Sequence, residues 1–150
     1  MDADSDEEIL EFAISREIEA YNFYMSLAER VAAEPMRKIF KDLAGEELQH
    51  KAKLELEVIK LGKVLPAQRE ISPPDHKYII SNDDGKLDID YKDMLMLGIE
   101  KEEASFRLYI GLLGSVRSER CREMLMALAE EEVKHKIRFE NEYDALLENR

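Results

Sequence analysis

Tryptophan is absent from this sequence, cysteine occurs once, and 150 residues include only 4 prolines and 6 glycines. So few chain breakers argue against an all-β fold rich in tight turns and for long helices. The lone thiol, Cys121, excludes an internal disulfide and any Cys-x-x-Cys metal knuckle. A metal held by this chain must therefore sit on Glu, Asp or His. No stretch approaches the roughly 20 apolar residues of a membrane span, and Met1 to Glu8 is acidic where a signal peptide would be basic. These absences predict a cytoplasmic chain. Basic residues are also in the minority, 22 against 34 acidic ones, and the net charge of −12 disfavours nucleic acid and anionic membranes as partners while attracting cations. With 45% hydrophobic and 37% charged residues, the length and composition predict one helix-rich domain over residues 1–150, built on a single core.

Apolar residues recur at helical spacing through Ile9, Phe12, Ala13, Tyr24, Leu27 and Val31, behind a candidate capping box of Ser5 with Glu8. A first helix is expected at about residues 5–32. Pro35 suits the first turn of a second helix, about 35–61, whose pattern runs through Phe40, Leu43 and Leu54 to a C-terminal Gly62. The period then fails between residues 63 and 89, where Pro66, Ser72-Pro73-Pro74-Asp75 and Asn82-Asp83-Asp84-Gly85 are turn chemistry. Helical spacing resumes for about 90–114 and 117–149. The expectation is all-α: a four-helix bundle of two antiparallel hairpins joined by a long crossover, the arrangement of ferritin-like bundles.

The two halves repeat. A shift of 85 residues places Ile14 on Ile99, Glu17 on Glu102, Tyr24 on Tyr109, Leu43-Ala44 on Leu128-Ala129, Glu46-Glu47 on Glu131-Glu132 and His50-Lys51 on His135-Lys136, without a gap. Glu47 and His50 are three residues apart, so they share one helix face, and Glu132 and His135 repeat that Glu-x-x-His. Residue 32, midway between 17 and 47, falls in the first expected turn, so an antiparallel hairpin sets Glu17 opposite Glu47. Residue 117 does the same for Glu102 and Glu132. Four carboxylates and two imidazoles thus converge on the bundle interior, the ligand set of a dinuclear carboxylate site. Four glutamates on core-facing stripes would be severely destabilising without compensating charge, which two divalent ions would supply. Oxygen and imidazole donors suit iron or manganese, and thiolate is missing.

Ala13-Ile14-Ser15-Arg16-Glu17, Phe23-Tyr24 and Leu43-Ala44-Gly45-Glu46-Glu47-Leu48-Gln49-His50, with their counterparts from Gly98 to Tyr109 and Leu128 to His135, resemble rubrerythrin-type members of the ferritin-like di-iron superfamily. The resemblance covers nearly all of the chain outside the connector and the ends. It implies that Glu17 and Glu102 are terminal ligands, that Glu47 and Glu132 bridge two iron ions, and that His50 and His135 each bind one. Manganese or a mixed pair would also suit this set. Full rubrerythrins add a rubredoxin domain with two Cys-x-x-Cys motifs, which this sequence lacks, so electrons are expected from a separate donor such as a rubredoxin. They also carry an extra carboxylate near the third-helix ligand; here Glu100 and Glu103 flank Glu102 without falling clearly on its face.

The implied function is a di-iron oxidoreductase that reduces hydrogen peroxide, or less efficiently dioxygen, to water. Iron oxidation and storage is the alternative, weakened because no fifth helix is evident after Leu147, and a metal-free structural bundle is the third reading. Tyr24 and Tyr109, two turns beyond Glu17 and Glu102 on the same faces, are expected as packed core residues with satisfied hydroxyls or as partners of a ligand carboxylate. Cys121 and the methionines Met94, Met96, Met124 and Met126 read as apolar filler, core or interface, and His76 as a solvated connector residue. Repeated halves and a long connector, which allow hairpins to be exchanged between chains, favour a homodimer.

Overall fold

The computed structural model describes residues 5–62 and 91–148, and all four elements in them are helices. They are α1 (Ser5–Arg30), α2 (Glu34–Lys60), α3 (Tyr91–Leu112) and α4 (Glu119–Glu148). Helices α1 and α2 form one antiparallel hairpin and α3 and α4 the other, each helix packing most extensively on its hairpin partner. This is a ferritin-like four-helix bundle. The expected connector, 63–89, and with it His76, lies outside the described residues. No helix among the described residues is long and apolar enough to cross a membrane.

Local chemistry sets the helix ends. Ala33, extended at φ −80° and ψ 132°, precedes α2, and Pro35 stands in its first turn, where its missing N–H costs nothing. Gly62 closes α2 in the left-handed region at φ 82°, its N–H donating to the Ile59 carbonyl at 2.9 Å. The fourth helix begins two residues later than its spacing suggests, because Ser118 caps it: the Cys121 N–H donates to Ser118 Oγ at 3.0 Å. Asp6 of α1 fixes the same corner, accepting the N–H groups of Arg117 at 2.7 Å and Ser118 at 2.9 Å. The first hairpin turn, 31–33, surrounds residue 32 as expected, and the second, 113–118, contains residue 117.

Apolar side chains form two clusters, one toward each end of the bundle. Leu10, Ile14, Leu54, Val58, Tyr109, Leu125 and Leu128 belong to one. Phe23, Tyr24, Leu27, Phe40, Leu43, Leu95 and Phe139 belong to the other. Along every helix the sequence passes from one cluster to the other through a single polar level: Glu17 on α1, Glu47 and His50 on α2, Glu102 on α3, Glu132 and His135 on α4. The core thus clamps a buried polar layer from both ends.

The repeat is asymmetric in size where α3 meets α4. Gly98 stands where the first half has Ala13, and Phe139 where it has Leu54. A Cβ on Gly98 would lie 2.7 Å from Phe139 Cε2. Phe139 is fully buried and wedged against Tyr24 and Phe40, with ring centroids at 5.7 and 6.0 Å, so it has little room to retreat. Gly98→Ala should therefore destabilise the protein by about 1–3 kcal/mol through overpacking, against a helix-propensity gain of about 1 kcal/mol. Urea unfolding of the two proteins checks this; a variant as stable as the parent would show that the ring has space.

Candidate metal centre

All six sequence-derived ligand candidates meet in the polar layer. Glu17, Glu47, Glu102 and Glu132 are at most 1% exposed and the two histidines 3%. His50 Nδ1 lies 3.0 Å from Glu47 Oε1 and 3.4 Å from Glu17 Oε1. His135 Nδ1 lies 3.4 Å from both Glu102 Oε2 and Glu132 Oε1. The two imidazoles stack at 5.8 Å with their planes 9° apart.

One atom from each of these six side chains is buried without a hydrogen-bond partner: Glu17 Oε1, Glu47 Oε1, Glu102 Oε1, Glu132 Oε1, His50 Nδ1 and His135 Nδ1. Buried polar atoms are normally paired, because leaving one unsatisfied costs about 1–3 kcal/mol. Six orphans at one level form a candidate site for a bound cation. Their donor set, oxygen and imidazole nitrogen, fits hard or borderline metal cations.

The candidate ligand atoms form two overlapping sets. Glu17, Glu47, His50 and Glu132 make one, with all atoms within 4.8 Å of one another; Glu47, Glu102, Glu132 and His135 make the other on the same criterion. Glu47 and Glu132 belong to both, so the geometry gives them the shared position and leaves one Glu and one His to each set.

Without metal, the carboxylates repel one another in a dry environment. Burial, reinforced by the other glutamates, pushes the carboxyls of Glu47 and Glu132 well above the ordinary range. Glu102 goes the other way: burial would raise it, but His135, Glu132 and Tyr24 hold its carboxyl below the usual value. Burial disfavours the His135 imidazolium, yet Glu102 and Glu132 outweigh that and push it up to about 11. A proton on His135 would offset part of the layer's negative charge in the metal-free protein.

Two surrounding contacts were only partly legible in the sequence. Tyr24 of the first hairpin donates its hydroxyl to Glu102 Oε2 of the second, and Tyr109 of the second donates to Glu17 Oε2 of the first. The tyrosines thus serve ligands across the bundle, not those on their own helices. Burial and the adjacent carboxylates push both phenols well above 10.0, so they remain donors. Glu46 was missed as a functional residue although the repeat pairs it with Glu131. Its Oε1 accepts from His135 Nε2 at 2.7 Å, which turns Nδ1 toward the carboxylates. Glu131 in turn groups with His50 and His135. By contrast, Glu100 is exposed and Glu103 accepts from Arg107 Nη2 at 2.8 Å, so neither joins the layer. Removing a partner that orients a ligating histidine typically costs 10–100-fold in metal affinity. Glu46→Ala should show a loss of that order in a competition titration with a chelator, with all six candidate ligands intact; an unchanged affinity would make the bond incidental.

A ferritin-like bundle with a buried cluster of four glutamates and two histidines defines the class: a protein of the di-iron carboxylate superfamily. The family model for rubrerythrin matches residues 8–143, and the chain belongs to the rubrerythrin family. A solved structure, a hypothetical protein from Pyrococcus furiosus, is 28% identical and superposes with a TM-score of 0.67, covering 96% of this chain and 91% of its own. No curated protein matches the sequence.

Proposed function

We propose that the chain is a di-iron oxidoreductase that reduces hydrogen peroxide, and less efficiently dioxygen, to water. The observation that carries this reading is the sharing of Glu47 and Glu132 by both ligand sets, which suits two ions close enough to act on one small oxidant. Glu17 with His50 would complete one ion's shell and Glu102 with His135 the other's. Iron bound there would supply the two electrons that peroxide reduction consumes. The protein's own side chains do the rest. Tyr24 and Tyr109 hold protons at the outer oxygens of Glu102 and Glu17 and fix their orientation, and the apolar clusters above and below keep water out. Manganese or a mixed pair fits the same donors. The reading includes a separate electron-donor protein, such as a rubredoxin, a cytoplasmic setting and a homodimer.

The test mixes anaerobic protein loaded with ferrous iron with peroxide and, separately, with air-saturated buffer. Faster oxidation by peroxide, about one peroxide consumed per reduced pair and iron held near two per chain are the expected results. Turnover should stop after that equivalent unless a reductant is supplied. Uptake of many irons per chain into a large hollow assembly would make storage the function instead.

A further inference from the structure

Hydrogen peroxide needs little more room than a water molecule, whose share of liquid volume is about 30 Å³. The outer side of the α3–α4 hairpin offers far more. A cavity of about 190 Å³ between α3 and α4 has Glu102 and Glu132 in its wall, with Phe106, Val133 and Ile137 as apolar neighbours and the charged Glu103, Arg107, Lys136 and Glu140 around them. Each of those glutamates carries an unpartnered buried oxygen. Phe106 and Val133 also line an adjoining groove of about 480 Å³, whose other apolar walls include Ile110, Leu113 and Met126. Its volume and apolar lining, with a few polar groups at the edge, are those of a small-molecule site.

The fold itself does not require this groove. At the corresponding positions the first hairpin has Met25 for Ile110, Ala28 for Leu113 and Lys41 for Met126. At two of these three positions the second hairpin is large and apolar where its copy is small or charged, and the groove runs on to the cavity beside Glu102 and Glu132 through the shared Phe106 and Val133.

We propose that the centre accepts alkyl hydroperoxides, with the alkyl tail along Ile110, Leu113 and Met126 and the hydroperoxide head entering past Phe106 and Val133 toward Glu102 and Glu132. This rests on the peroxidase reading above and gives it a substrate class. Reduced iron held at the centre would supply the two electrons; with two protons taken up and the O–O bond broken, the products would be one alcohol and one water. An uncharged head suits a protein with a net charge of −12 better than the carboxylate of a free fatty acid.

Full-length protein is tested in two ways, with 1-octanol as an unreactive product analogue and with octyl hydroperoxide as substrate. Octanol should bind saturably, shifting NMR signals of Ile110 and Val133, and Met126→Lys should weaken that binding at least tenfold. Met126 is 50% exposed, so the variant is expected to fold. In iron-loaded protein the same substitution should lower the ratio of octyl hydroperoxide to hydrogen peroxide rates about tenfold. Octanol binding that is absent, or equal in the two proteins, overturns the proposal while leaving hydrogen peroxide reduction standing. A solution mass showing a dimer that Met126→Lys splits would also overturn it, because a second copy would then be the occupant. Reduction of neither hydroperoxide overturns the peroxidase reading and this one together.

Discussion

Glu47→Ala and Glu132→Ala are each expected to abolish binding of both metal ions, whereas Glu17→Ala or His50→Ala should weaken chiefly one. The contrast follows from membership: Glu47 and Glu132 supply atoms to both ligand sets, and Glu17 and His50 to one. Loss of a partner outside the ligand shell costs 10–100-fold, so loss of a shared ligand should exceed about 100-fold at each site. The two shared positions should behave alike, because the repeat places them equivalently. Elemental analysis after desalting gives the readout, with far-UV circular dichroism to confirm that the helices persist. Equal losses from all four variants would indicate general disruption of the layer instead of two overlapping sites.

The second large effect is a pH-dependent gap in stability between metal-loaded and metal-free protein. With free metal about a thousandfold above Kd, each site adds about 4 kcal/mol, which for a chain of this size is on the order of 10 °C in Tm. Protons compete with metal, so that increment fades in acid. The metal-free protein responds oppositely. Glu47 and Glu132 have carboxyls raised above the ordinary 4.5 in the folded state. Folded protein therefore holds these protons more tightly than unfolded protein, a contribution fully present below 4.5 and lost as pH rises through the raised values. His135 has the same sign, its contribution being lost between 6.5 and about 11. Glu102 and Asp6, both held low, contribute above their ordinary values and lose that contribution only as pH falls through the lowered ones. Metal-free protein should thus be more stable in mild acid than at neutral pH, while the loaded protein loses its advantage there. Thermal melts of both forms from pH 4.5 to 8 check this; parallel curves would contradict it.

Much of this was legible in the sequence because both the fold and the site repeat. Period-3.6 spacing marked four helices, and two Glu-x-x-His motifs with glutamates equidistant from the turns located the polar layer. What the spacing could not give was the rotation of one hairpin relative to the other. That rotation makes Tyr24 serve Glu102 and not Glu17, and it lets Glu46 reach His135 on the opposite hairpin. A sequence period describes one helix at a time, so contacts between hairpins stay hidden even where every participant has been named. The delayed start of α4 has a local cause instead: Ser118 uses its side chain as a cap, and the backbone before it is held by Asp6 from another helix.

The same layer explains why the bundle tolerates so costly an arrangement. Apolar clusters at both ends account for its cohesion, and the six orphaned atoms between them would gain partners on binding cations. On the proposed function, stability and activity would be coupled at Glu47 and Glu132, which repel each other when the site is bare and would be bridged when it is filled.

Anaerobic titration of metal-free protein with ferrous iron, followed by desalting and elemental analysis, tests the central claim most directly. Two irons retained per chain, reduced to about none by Glu47→Ala, is the predicted result. Retention of zero or one by the parent protein would contradict a dinuclear centre.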